Sequence, residues 1–148
     1  MRASSRAPES GAPGAFILPA VNLILVGLGG AFGAVARYLL SGFVQARAGG
    51  SFPWGTLVVN VSGCFVMGLL AGLGEARGLM TPQMRALLVV GVLGGYTTFS
   101  AFGNETVGLA IERDLPGATM NVVLSVVLGV AAVWAGRALA LALAGGRA

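Results

Sequence analysis

The sequence predicts an all-α membrane protein of four transmembrane helices with a break in the third, and three observations carry that expectation. Of the 148 residues, 56% are hydrophobic and 9% charged, with a mean hydropathy of +0.88. Four apolar segments take up nearly all of the chain after the first fifteen or so residues, and crossing the hydrocarbon needs about 20 apolar residues each. The third segment is uncharged from Ala86 to Asn104, yet its middle, Gly91-Val92-Leu93-Gly94-Gly95-Tyr96-Thr97-Thr98-Phe99-Ser100, is a poor helix. Lipid offers backbone N–H and C=O groups no partner, so irregular backbone at membrane depth is tolerated only inside protein or along a polar cavity.

Residues 1–15 are small, polar and rich in Pro, Gly and Ser, and read as a disordered tail ahead of a membrane domain over 16–148. Arg2, Arg6 and the apolar stretch after them imitate a signal peptide, with Ala34-Val35-Ala36 as its cleavage site. The apolar segment is too long for that and runs on past Arg37. The first helix is expected over about Pro19 to Val44. Gly29 and Gly33 form a GxxxG face for close backbone approach, and Arg37 follows one turn later on that face, which argues for an inward role.

After a short loop at Gln45 to Gly50, Ser51 and Pro53 open the second helix as cap and first-turn residues, with Trp54 at the interface. On this helix Thr56 and Asn60 are i, i+4 neighbours, and an amide deep in an apolar helix is either interhelical glue or part of a polar pathway. Glu75 to Met80 is the second loop, and Thr81-Pro82 starts the third helix. The break is expected over Gly94 to Thr97, where freed carbonyls would be ready oxygen ligands for a cation. Phe99 and Phe102 then share a helix face, and Glu105 follows at the next i+3 step. Glu112, Arg113 and Asp114 form the third loop. The last helix, about Pro116 to Ala144, carries Asn121, Ser125 and Gly129 at successive i+4 steps, a wet or packed stripe.

Composition narrows the chemistry. With no histidine and one cysteine, Cys64, the chain lacks the residues for His- or Cys-based metal sites and for a disulfide framework of its own. Most enzyme reactions lose their usual residues too, so an enzyme is not expected. The nine basic residues, all arginine, stand against five acids for a net charge of +4. They read as loop and anchor charge at a membrane surface, since no basic run or aromatic platform for nucleic acid is present. The inward candidates, Thr56, Asn60, Thr97, Thr98, Ser100, Ser125, the two phenyl edges and Arg37, are mostly hydrogen-bond donors. Such a pathway suits an anion, because phenyl rings present a positive edge and neutral donors do not trap the ion as a fixed charge would.

Three stretches carry a resemblance. Gly29-Gly-Ala-Phe-Gly33-Ala-Val-Ala-Arg37-Tyr38, Gly55-Thr56-Leu-Val-Val-Asn60-Val-Ser-Gly63 and Gly94-Gly95-Tyr-Thr97-Thr98-Phe99-Ser100-Ala-Phe102 resemble, in order, the three motifs of the CrcB/Fluc fluoride channels. The resemblance spans about Asn22 to Gly129, and the third motif is the most specific. It implies a multi-pass channel of the inner or plasma membrane, a homodimer of antiparallel subunits (dual topology), passive fluoride efflux, and a structural Na+ at the dimer centre. It assigns Phe99 and Phe102 to fluoride contact, Asn60 to the pore amide, Thr56 and Glu105 to the far end of the pore and Ser125 to a hydroxyl track. It also matches Arg37 to the first-helix arginine, and the carbonyls of Gly94 and Thr97 to the sodium site. Asn121 stands where the resemblance leads one to expect a tyrosine.

Other readings are weaker. A four-helix multidrug or cation exporter needs a membrane-embedded carboxylate, and none lies within the first helix. An accessory subunit of a larger complex would explain the glycine faces but not Asn60, the break and the two phenylalanines together. For orientation, Arg2, Arg6, Arg77, Arg85 and Arg147 outnumber Arg47 and Arg113, which favours a cytoplasmic N-terminus, whereas the resemblance implies insertion both ways.

Overall fold

The computed structural model describes residues 20–78 and 80–145. The tail over 1–15, the expected helix start at Pro19, and Arg2, Arg6 and Arg147 lie outside the described residues. Among the described residues, four helical spans are long and apolar enough to cross a membrane. They comprise α1 (Ala20–Ala48), α2 (Trp54–Arg77), a composite third span over Pro82–Ile111, and α6 (Leu115–Leu143). The third span consists of α3 (Pro82–Met84), a π-helical stretch (Arg85–Leu93), α4 (Gly94–Tyr96) and α5 (Phe99–Ile111).

The helix ends show which local signals act. Thr81 caps α3 by accepting from the Met84 N–H at 3.2 Å, with Pro82 in the first turn, as expected. Asp114 caps α6, its Oδ1 accepting from Gly117 N at 2.9 Å. The expected cap at Ser51 is replaced. Pro53 precedes α2 with no side-chain cap, and the amide of Gln45 does the work from α1. Its Nε2 donates to the carbonyls of Gly50 (3.2 Å) and Phe52 (3.1 Å), while its Oε1 accepts from Gly55 N at 3.2 Å. A long amide can reach donor and acceptor at once, whereas a serine hydroxyl serves its own turn. The α1–α2 loop is also able to be short because Gly49 and Gly50 both take positive φ, at 68° and 71°. Two boundaries move: α1 runs on to Ala48, and α2 runs through the expected loop start at Glu75, whose carboxylate pairs with Arg137 of α6.

Glycine backbones set the packing. α1 lies on the third span and α2 on α6. A Cβ on Gly29 would run into the Leu87 carbonyl oxygen, one on Gly33 into that of Val92, and one on Gly95 into that of Gly30. On the other seam, a Cβ on Gly68 would overlap the Val133 carbonyl oxygen and one on Gly136 that of Phe65. With no hydrophobic drive between helices in lipid, such close approach is what makes van der Waals packing effective. Large apolar residues of α1 and α6, among them Leu28, Phe32, Leu39, Val130 and Trp134, point outward.

The irregular backbone expected from Gly94 onward is not found at the glycines. Gly94 is helical (φ −63°, ψ −36°), and extended backbone occurs at Thr97 (φ −82°, ψ 155°) and Thr98 (φ −149°, ψ 114°). The physical reason is that Gly91 and Gly95 serve the approach of α1, against Gly29 and Gly30 respectively.

Gly33→Ala is expected to destabilise the protein by about 1–3 kcal/mol through overpacking against Val92. Gly27→Ala, where an added Cβ meets nothing within 4 Å, should be neutral or stabilising by up to about 1 kcal/mol. Thermal unfolding in detergent checks the pair, and equal melting temperatures would mean that α1 does not press on the third span.

Candidate functional site

The site is built around one side-chain amide. Asn60 on α2 faces Thr98, its Oδ1 accepting from the Thr98 N–H at 2.8 Å and its Nδ2 donating to the Thr98 carbonyl at 3.0 Å. The amide thus serves both polar groups of an extended residue, as a neighbouring strand would. Thr98 then caps α5, its Oγ1 accepting from Ala101 N at 3.2 Å. Thr97 turns back, with both its N–H and its hydroxyl donating to the Leu93 carbonyl at 2.9 Å. From α1, Arg37 Nε donates to the Gly95 carbonyl at 3.2 Å, the inward role its place on the glycine face led one to expect. A cation at the C-terminal end of α4 also suits the carbonyl dipoles there.

Two cavities meet at Thr98. One, of about 310 Å³, is lined by Asn60, Cys64, Met67, Thr97, Phe99, Phe102 and Ser125 among others. Among the described residues its lining includes no charged side chain. The second, of about 360 Å³, includes Arg37, Tyr38, Ser41, Gln45, Thr56 and Glu105. Of the residues singled out from sequence, Asn60, Thr97, Phe99, Phe102 and Ser125 therefore come together on one side of Thr98. Arg37, Thr56 and Glu105 come together on the other. Gly94 lines neither cavity, and the nearest atom a Cβ there would meet is the Val89 carbonyl oxygen at 3.9 Å.

The rings of Phe99 and Phe102 lie 5.4 Å apart between centroids, tilted by 42°. Phe99 is 84% exposed, so most of its ring is open on the surface of the chain. On the far side the Thr56 hydroxyl donates to Glu105 Oε1 at 2.6 Å, and Glu105 Oε2 is buried with no donor among the described residues. Gly63 keeps α2 clear of the extended pair, since a Cβ there would overlap the Thr97 methyl and press on the Tyr96 ring. Ser62 donates its one hydrogen to the Val59 carbonyl at 3.0 Å, so the Tyr96 hydroxyl, 2.8 Å away, is the donor in that pair.

Sequence reasoning missed Gln45 as a wall of the second cavity and Cys64 and Met67 as walls of the first. The i, i+4 spacing of Asn60 and Cys64 on one helix face was the available signal. It also placed Asn121 on a stripe with Ser125 without finding its partner. Asn121 is 2% exposed, lines neither cavity, and donates to Thr106 Oγ1 at 2.8 Å.

The profile of one protein family, described as CrcB-like protein, Camphor Resistance (CrcB), matches residues 24–137, which hold every residue of both cavities. The chain belongs to the CrcB family. Among its relatives, a protein of Shewanella baltica (strain OS185) named fluoride-specific ion channel FluC is 49% identical over 118 residues, 80% of this chain and 94% of that protein. A protein of the same name from Shewanella sp. (strain ANA-3) matches to the same extent. One from Methylococcus capsulatus is 48% identical over 126 residues, which cover 85% of this chain but 55% of that longer protein.

Proposed function

We propose that this chain is the subunit of a fluoride-selective channel of the inner or plasma membrane, a passive path by which fluoride leaves the cell, and not an enzyme. The observation that carries the reading is the convergence of Asn60, Phe99, Phe102 and Ser125 on one uncharged cavity. Membership of the CrcB family and likeness to relatives named as fluoride-specific ion channels support it. Fluoride is more strongly hydrated than chloride, so a selective path must replace its water with several close donors and be too tight for the larger ion. Asn60 has such a donor to spare: one hydrogen of its amide serves the Thr98 carbonyl, and the second, which meets no acceptor among the described residues, can turn to the ion. The Ser125 hydroxyl and the positive edges of the two rings complete the set. Past Thr98, the ion meets Arg37 and Thr56, with Glu105 at the far end.

On this reading the extended pair Thr97–Thr98 is a functional break in the third helix, and two copies insert in opposite directions and pair as a homodimer. The open face of Phe99 is where a second subunit would adjoin. The two carbonyls assigned to sodium also fit a cation by chemistry. In a continuous helix, the Gly94 carbonyl would accept from Thr98 N and the Thr97 carbonyl from Ala101 N. Those N–H groups go instead to Asn60 Oδ1 and Thr98 Oγ1. Two such carbonyls from each of two copies offer four neutral oxygens to a hard monovalent cation. A bound Na+ would neutralise inward carbonyl dipoles that lipid cannot solvate.

Purified protein in liposomes should release trapped fluoride and retain chloride, and equal rates for the two halides would overturn the selectivity. Phe99→Ile and Phe102→Ile keep apolar bulk but remove the positive ring edge, and each should cut fluoride flux by about tenfold, the effect of about 1.4 kcal/mol, while the protein still folds. Normal flux in both variants would reduce the rings to packing. For the paired subunits and their sodium, Gly94→Val is the test, because the chain itself offers an added Cβ no contact closer than 3.9 Å. Loss of the dimer in Gly94→Val, together with a dimer that weakens when a large organic cation replaces sodium, is the expected result. A dimer and flux unchanged in both would remove sodium and the close approach from the account.

A further inference from the structure

Asn121 is buried where no part of the proposed fluoride path reaches it, yet its hydrogen bonds lead to that path. Its Nδ2 donates to Thr106 Oγ1 at 2.8 Å, and Thr106 Oγ1 donates to the Phe102 carbonyl at 2.7 Å. A hydroxyl has one hydrogen to give and two lone pairs to accept with. The Thr106 hydrogen is committed to Phe102, so the order amide, hydroxyl, carbonyl is fixed. Each bond in such a chain polarises the next. A threonine hydroxyl bonded back to the carbonyl four residues earlier also bends its helix slightly, here in the turn of α5 that carries the Phe102 ring into the cavity.

The other end of the tie is equally informative. Asn121 and Ser125 stand one turn apart on the same face of α6. Ser125 lines the same cavity as Phe102, and Asn121 does not. The tie therefore joins the turn of α6 that holds the hydroxyl to the turn of α5 that holds the ring.

We propose that Asn121 is a positioning residue: acting through Thr106, it fixes the Phe102 ring relative to Ser125 across the fluoride cavity without itself touching the ion. The proposal rests on the reading of that cavity as the fluoride path. The competing account is a hydrogen bond that merely glues α5 to α6. Glue predicts lower stability with an unchanged path in those channels that fold, whereas a positioning residue predicts an altered path at the same folded yield.

The experiment uses the full chain in liposomes, with Asn121→Leu, Thr106→Val, the double variant and Thr106→Ser. It reads fluoride flux per folded channel, the fluoride-to-chloride ratio, and the fluorine NMR signal of 4-fluorophenylalanine placed at position 102. Each of the first two variants should lower fluoride flux by about tenfold, and the double variant should be no worse than either, as for residues in one chain of bonds. Both should narrow the halide ratio and shift the ring signal. Thr106→Ser, which keeps the hydroxyl, should stay within about twofold of the parent. A lower melting temperature with flux, ratio and ring signal all unchanged would overturn the proposal in favour of glue. Should Asn121→Leu fail to fold, Thr106→Val and Thr106→Ser decide by the same readouts. A parent protein that passes no fluoride would overturn the channel reading alone, because the ring signal still reports whether Asn121 and Thr106 hold Phe102.

Discussion

The structure depends on the pair of hydrogen bonds between the Asn60 amide and the Thr98 backbone. An extended residue within a membrane span leaves its N–H and C=O without helical partners, and each such group left unmade costs about 1–3 kcal/mol. One amide answers both at 2.8 Å and 3.0 Å. The consequences spread outward from there. With its backbone satisfied, Thr98 can use its hydroxyl to cap α5, and α5 restarts with Phe99 and Phe102 on the wall of the first cavity. The same pairing draws the Thr98 N–H away from the carbonyl of Gly94.

Glycine packing makes that arrangement reachable. Gly29 and Gly33 bring α1 against the third span so closely that no Cβ fits, and Arg37, one turn on, then reaches the Gly95 carbonyl. Gly63 does the same for α2, leaving room for the Thr97 methyl beside Asn60. Few apolar side chains are fully buried in the single chain, Val59 and Ala140 being the extreme cases. Cohesion in lipid thus comes from backbone approach and a handful of buried polar bonds, with the large side chains left on the outer surface.

Much of this is legible in the sequence because it is local. Apolar length marks the four spans, and Thr81-Pro82 marks where the third begins. Asn60, the two phenylalanines and Ser125 of the first cavity were singled out because they are polar or aromatic features on otherwise apolar faces. What was misread depends on partners far along the chain. Gly94-Gly95 looks like the place where a helix fails, but a glycine that loosens a helix and one that admits a neighbour are the same residue in sequence. The presence of α1 decides between them. Thr97 and Thr98, extended in fact, are β-branched residues that a membrane helix accepts readily, and their conformation is set by an amide 38 residues earlier. Gln45 in place of Ser51 and Thr106 as the partner of Asn121 were hidden for the same reason.

The central claim is that the Asn60 side chain, and not helix winding, holds the Thr98 backbone. Amide hydrogen exchange at Thr98 in the reconstituted protein tests it most directly, comparing the parent with Asn60→Ala. The account predicts a Thr98 N–H as protected as the amides of α5 in the parent, and exchange about tenfold to a hundredfold faster in the variant, with the amides of α2 unchanged. Equal protection of Thr98 in both proteins would contradict it.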